Sequence, residues 1–240
     1  MMKRFTSVAL SIVMITITST HLIAQDNVSG IAATNVIADP AQIGGESEGT
    51  VQVAQLIYAT DKTSECFSDH FLTRAETDSA ITTSRRLHTV KLESSEIYHF
   101  PLLIMTGEGK FTLTESERKN LRTFIEKGGF LLASAGCSST EWDASFRREM
   151  SKAFAEIKME PLTMEHLIFH TVYDIERLTA KNAAIKPLEG IHFGNRLGVL
   201  YSQDGLNDTS HTEGCCCCGG NEITNSEMVN VNVLVYSLLH

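Results

Sequence analysis

Apolar and polar positions alternate first where order begins, at Thr50. Val51, Val53, Gln55 and Ile57 interleave with Gln52, Ala54 and Leu56, which predicts a short strand with at least one well-buried face. Phe67 to Ser79 reads as a weakly amphipathic helix and His88 to Leu92 as a second short strand. The period then changes sharply. Phe100 to Met105 is a continuous apolar run, closed by Thr106-Gly107-Glu108-Gly109. Thr114 and Glu117 have the spacing of a capping box, and Leu121, Phe124 and Ile125 place one apolar stripe on the helix that it opens. Gly128-Gly129 stops that helix, and a further apolar run, Phe130 to Ala133, follows at once. Strand, glycine turn, helix, glycine pair and strand make a βαβ unit, which closes right-handed into a parallel sheet.

Downstream, Trp142, Phe146, Met150 and Phe154 recur every four residues, while Arg147, Arg148, Glu149 and Lys152 lie off that line. The stripe predicts a helix packed on the sheet rather than a ligand box, with Arg147-Arg148 on its solvated face or, for one of them, on an anion. Leu197 to Tyr201 is another strand. Thr224 and Glu227 have capping-box spacing ahead of an apolar closing helix from Met228 to Leu239. No repeat is present, and the one low-complexity segment is Cys215 to Gly220.

The ends of the chain change this picture. Met1 to Arg4 is a short basic start, Val8 to Ile17 an apolar core of about ten residues, and Ala24 a small residue before Gln25. This is the layout of a secretory signal peptide, despite Leu22 where a small residue is usual. A spanning helix needs roughly 20 apolar residues, so no membrane span is expected after cleavage. The expected organisation is a signal peptide at 1–24, a flexible leader at 25–49 and one α/β domain at 50–240, in a periplasmic or secreted protein. The 240 residues carry 20 Lys and Arg against 29 Asp and Glu, a net charge of −9, and no basic face for nucleic acid. Export also places all six cysteines where disulfides are permitted.

Several segments together resemble a bacterial domain-of-unknown-function family, number 4159. They are "FPLLIMTGEGKFTLTESERKNLRTFIEKGGFLLAS", "FRREM", "HLIFHTVYDI", "LEGI" and "NRLGVLYSQDGL", in an order that runs from about Val51 to the C-terminus. The resemblance implies a flavodoxin-like three-layer α/β sandwich with a mostly parallel central sheet, related to class I glutamine amidotransferase-like domains. Trehalose-utilisation (ThuA-like) proteins look like near relatives; their Asp-His-Pro-Ile segment is echoed by Glu165-His166-Leu167-Ile168, with Asp and Pro replaced. The resemblance makes "HLIFHTVYDI" loop and short strand.

Candidate chemistry centres on Cys137. It follows the strand Phe130 to Ala133 and precedes the aromatic stripe, the place of a nucleophile on a strand-to-helix elbow. A tight elbow needs small neighbours, and Ala135, Gly136, Ser138 and Ser139 supply them. An amidotransferase also resembles a Cys with a later His-x-Glu pair, and that pair is absent, so glutaminase activity is not expected. His166 and His170, near Glu165 and Asp174, could serve as a base for the thiol or as structural hydrogen-bonding groups. His192 and His211 show no local partner pattern. Gly107-x-Gly109 reads as turn geometry. Adjacent cysteines sit about 3.8 Å apart, short of the roughly 4.4–6.8 Å usual for a disulfide. Cys215 and Cys218 form a C-x-x-C that could close as a disulfide or give two thiolates to zinc, which needs two further ligands.

The reading is an exported α/β protein acting as a binding or assembly module without glutaminase activity, its partner a small molecule or a protein. A Cys/His-dependent hydrolase or carbohydrate-linked enzyme, using Cys137 with His166 or His170, is one alternative. A thiolate metal-binding protein using Cys215, Cys218 and Cys137 is the other. No organic cofactor is implied, and zinc is the metal to test. Because ligands of open α/β sheets sit beyond the carboxyl ends of the strands, one thiol of Cys215–Cys218 is expected to meet Cys137 across that crevice. The contact would be a disulfide or a shared metal, with His166 or His170 completing the metal shell.

Overall fold

Seven strands form one sheet in the order β2-β1-β3-β4-β7-β6-β5. In chain order they are β1 (Val51–Ile57), β2 (Thr83–Lys91), β3 (Leu102–Gly107), β4 (Phe130–Ala135), β5 (Glu160–Pro161), β6 (Glu189–Phe193) and β7 (Arg196–Ser202). Neighbours from β2 to β7 are parallel, the flavodoxin-like order, and β6 and β5 extend that sheet antiparallel. The computed structural model describes residues 46–63, 66–212, 215 and 220–240. The signal peptide expected at 1–24 and most of the leader expected at 25–49 lie outside the described residues. Among the described residues, no helix is long and apolar enough to cross a membrane.

Among the described residues, four α-helices cover the two faces: α1 (His70–Asp78), α2 (Glu115–Glu126), α3 (Thr140–Ala153) and α4 (Ser226–Leu239). On one face α2 and α3 bury Leu121, Phe124, Ile125, Trp142, Phe146 and Met150 against alternate residues of the strands. On the other, α1 and α4 bury Phe71, Leu72, Ala75, Val229, Val233 and Leu234. Strands β3 and β4 are buried along their whole length because both faces are covered. This is the expected α/β three-layer single domain.

The first capping box forms as read. Thr114 Oγ1 accepts from Glu117 N at 3.1 Å and Glu117 Oε2 accepts from Thr114 N at 2.7 Å. Glu117 Oε1 also accepts from Ala59 N at 2.6 Å, so the cap ties α2 to the loop after β1. The box expected at Thr224 and Glu227 does not form: the cap residue is Asn225, with no side-chain capping bond. Thr224 turns instead to Thr179, and Glu227 to His70.

Other differences follow from polarity. Strand β2 begins at Thr83 rather than His88, because an edge strand exposes polar residues such as Ser84, Arg85 and Arg86 that hide its period. Strands β5 and β6 are short and partly exposed, and nothing in their sequence alternates clearly. "HLIFHTVYDI" makes a 3-10 turn at Leu167–Phe169, not a strand. The arginines of α3 are not simply solvated: Arg147 bonds Asp143 at 2.7 Å and also pairs with Glu189, and Arg148 meets the buried Glu149 at 3.0 Å.

Candidate functional site

The C-terminal edges of β3 and β4 lie side by side, with Gly107 opposite Ala135. The next residues, Glu108 and Gly136, therefore leave the sheet together. A Cβ at Gly136 would crowd the Gly107 carbonyl, which explains the glycine there. Cys137 follows in the left-handed region at φ 50°, ψ 27°, and Ser138 has φ 51°. Two consecutive non-glycine residues in that region fold the chain into a sharp elbow, a conformation that costs about 1 kcal/mol or more per residue. Ser139 then caps α3, its Oγ accepting from Trp142 N at 3.3 Å and from Gly109 N at 3.2 Å. The elbow is thus locked to the loop after β3.

The Cys137 thiol donates to Glu108 Oε1 at 3.0 Å. Both side chains line a cavity of about 10 Å³, room for roughly one water. Its other walls are Cys66, Gly205, Asn207, Thr209, Asn221 and Glu222. Cys66 is joined to Cys215 by a disulfide with Cα atoms 5.6 Å apart, across 149 residues of sequence. The segment that follows the tetra-cysteine stretch also packs on the elbow. A Cβ at Gly220 would run into the Cys137 carbonyl, and Ser138 Oγ accepts from Asn221 N at 2.9 Å and donates to Asn221 O at 2.8 Å.

These contacts revise the cysteine expectations. The disulfide made by Cys215 goes not to Cys137 but to Cys66, which lines the Cys137 cavity and is a residue that the sequence did not single out. Bonded in this way, Cys215 offers no thiolate to a metal. Cys218 lies outside the described residues.

The histidines go elsewhere. His166 sits against His192, their Nε2 atoms 3.4 Å apart, and beside Tyr236 near the end of α4. Tyr236 Oη accepts from Leu197 N at 3.1 Å, near the start of β7, the end of the sheet opposite Cys137. Burial, then the charge of His192, holds the His166 imidazole below its usual value. His170 pairs with Asp174 and with the Met164 carbonyl, and those bonds hold its imidazole above the usual value. Neither ring lines the Cys137 cavity.

In the 2-1-3-4-5 strand order, ligands usually enter between β1 and β3, where the winding reverses. Here Tyr58, Phe111 and Trp142 pack into that position. Tyr58 Oη accepts from Trp142 Nε1 at 2.6 Å and donates to Thr106 O at 3.1 Å. Burial pushes the Tyr58 phenol up to about 12, so it stays protonated as a donor. A Cβ at Gly107 would collide with that hydroxyl, which accounts for the first glycine of Gly107-x-Gly109; the second, Gly109, has φ 70°. Beyond the plug, an open depression of about 430 Å³ is bordered by Lys62, Lys110 and Arg148. Lys110 is paired there with Glu141 at 3.4 Å, and Arg148 with Glu149.

Fold and crevice together define a flavodoxin-like α/β domain with a cysteine on the elbow between its central parallel strand and the following helix. The chain belongs to the family described as Domain of unknown function (DUF4159), whose model matches residues 52–238. A comparison with curated proteins finds no match.

Sequence reasoning missed Glu108, Cys66 and the partner of His211. The signal for Glu108 was its place directly after the β3 run. For His211 it was Asp208, three residues earlier in a loop, which accepts from His211 Nδ1 at 2.7 Å. Nothing local could have paired Cys66 with Cys215.

Proposed function

We propose that this protein is an exported binding or assembly module without glutaminase activity, whose crevice loops are set by thiol–disulfide exchange at Cys137. The observation that carries the reading is the small cavity that Cys137 shares with Cys66 of the Cys66–Cys215 disulfide, with Glu108 at 3.0 Å from the attacking sulfur. The signal-peptide layout of residues 1–24 supports export to an oxidising compartment, where such a disulfide persists. The likeness to amidotransferase and ThuA-like proteins enters at the level of fold, and fold alone does not carry activity.

The exchange balances without an added oxidant. Cys137 passes its proton to Glu108, and the thiolate attacks the Cys66 sulfur. A Cys137–Cys66 bond forms as the Cys66–Cys215 bond breaks. The electron pair leaves with the Cys215 sulfur, which takes up the proton. Releasing Cys215 detaches the cysteine loop from the segment before α1, so the choice of disulfide pairing changes the surface offered to a partner. A Cys/His hydrolase has less support, since His166 and His170 are engaged elsewhere and the cavity has no room for a substrate.

Peptide mapping of the non-reduced protein, equilibrated in glutathione buffers of graded potential, tests this reading. A Cys66–Cys137 linkage is expected beside Cys66–Cys215, in a ratio independent of the potential, and is lost in Cys137→Ser, which keeps Cys66–Cys215. A map with only Cys66–Cys215 until full reduction would overturn it.

A further inference from the structure

A second cluster of reactive groups lies on the α1 and α4 side of the same loops, and neither the fold nor the thiol chemistry uses it. Here the ligand atoms of His70, Asp208 and His211 all lie within 4.8 Å of one another. We propose that His70, Asp208 and His211 bind one divalent first-row transition metal of the zinc type, with Glu227 as a supporting or fourth group. This reading does not require exchange at Cys137, although both involve the segments that the Cys66–Cys215 disulfide joins.

Three separate parts of the chain supply the site. His70 opens α1, Asp208 and His211 stand in the loop after β7, and Glu227 lies in the first turn of α4. Each imidazole already faces a carboxylate: His211 Nδ1 meets Asp208 Oδ2 at 2.7 Å, and His70 Nδ1 meets Glu227 Oε1 at 2.6 Å. The rings are stacked, centroids 4.4 Å apart and planes 10° from parallel.

Charge favours a cation there. Asp208 is 7% exposed, and Glu227 is its acidic neighbour. Among the described residues, the only ion-pair partner of each carboxylate is a histidine; the Arg74 guanidinium, whose charge also reaches Glu227, is itself paired with Asp78 at 2.8 Å. Two carboxylates facing two imidazoles, with the nearby Arg74 engaged by Asp78, are relieved by a metal ion.

The donor set selects the kind of ion. Imidazole nitrogens with carboxylate oxygens suit zinc, iron, nickel or copper, whereas calcium and magnesium take oxygen ligands. A metal lies near the plane of each imidazole that holds it, so loading must turn at least one ring out of the stack. Both side chains are about half exposed (49% and 44%), which leaves them room to turn.

The site is also held in advance. The disulfide joins Cys66, four residues before His70, to Cys215, four residues after His211. Ser68 N donates to Asn207 O at 2.8 Å between the same two segments. Fixing the ligand-bearing segments before the ion arrives lowers the ordering cost of binding. A zinc ion, which the sequence allowed at the cysteine loop, would here meet nitrogen and oxygen donors instead.

The test uses the full chain, stripped with chelator, in both wild-type and Cys137→Ser forms, titrated with Co²⁺ and then Zn²⁺. One equivalent is expected to bind in both forms, with ligand-field bands and no thiolate charge-transfer band. His70→Ala and His211→Ala should each weaken binding by about tenfold to a hundredfold or more, and Glu227→Gln by less. Metal-free thermal melts check folding, and His70→Gln, which can still donate to Glu227, serves if the alanine variant fails to fold. Absence of binding to the wild type, a thiolate band, or affinity unchanged in the histidine variants would overturn the proposal.

Discussion

The two faces of the sheet are built by different means. Under α2 and α3 the core is aromatic and the instructions are local. Trp142 stacks on Phe146 at 5.1 Å and 9°, and Phe146 on Tyr201 at 4.5 Å. The helices on that side begin at side-chain caps written into neighbouring residues. Under α1 and α4 aliphatic residues from the helices join Phe71, Phe130, Phe169 and Tyr236, and polar clasps between distant residues hold the loops. Asn232, fully buried on α4, accepts from Val172 N at 3.0 Å and Tyr173 N at 2.8 Å, and donates to Tyr173 O at 2.9 Å. Asn230 donates to Leu206 O at 2.9 Å. Covalent support is on this side too, since Cys66–Cys215 spans 149 residues. One face stands on packing; the other adds long-range links that hold reactive groups in register.

Breaking the packed face should have the largest effect. Trp142 is fully buried and touches Phe111, Phe146 and Tyr201, and its indole N–H bonds Tyr58. Trp142→Ala removes that volume and is expected to cost about 3–5 kcal/mol, read from denaturant unfolding. It should also free the Tyr58 hydroxyl and loosen the elbow at Cys137, seen as faster alkylation of that thiol. A loss under about 1 kcal/mol would mean that this face does not carry the fold.

The stapled face should respond less, and locally. The double variant Cys66→Ser, Cys215→Ser is expected to lose about 2–5 kcal/mol, the typical range for a native disulfide, toward its lower end because the sheet core remains. Hydrogen exchange should rise in residues 66–72 and 205–212 while α2 and α3 stay protected. Uniformly faster exchange across the sheet would contradict the division between the two faces.

The same division explains what was legible in the sequence. The unit from Phe100 to Ala133 could be read residue by residue, because its caps, stripe and glycine stop act within a few positions. The aromatic stripe of α3 was legible for the same reason, as was the elbow at Cys137. The Cys66–Cys215 bond, the clasps of Asn230 and Asn232, and the pairing of His70 with Glu227 join residues far apart in the chain. No local period carries them. Glu227 had the spacing of a capping residue, yet its carboxylate serves His70, so tertiary partners overrode a valid local motif. His166 and His170 lie close in sequence but point to different partners, and Cys137 is a partner of neither.

Those two histidines give the finest probe of the stapled face, through pH. His166 Nδ1 accepts from Ile168 N at 3.2 Å, a bond that a proton on that nitrogen would break. Burial and then the charge of His192 hold its pKa below the ordinary value of about 6.5. Above that value both folded and unfolded chains carry neutral His166. As pH falls through about 6.5 the unfolded chain takes the proton first, so stability drops, and the loss levels off below the folded pKa. His170 has the opposite sign. Its bonds to Asp174 and Met164 raise its pKa, so its contribution is complete below about 6.5 and is lost as pH rises through the folded value. Being exposed, it should be the weaker of the two. Urea midpoints at about pH 7.5 and 5.5 compare them, each variant set against wild type. His166→Gln should shrink the loss on acidification, and His170→Gln should enlarge it slightly. Equal slopes in wild type and both variants would show that neither imidazole is coupled to folding, and the polar clasps on this face would then have no part in its pH response.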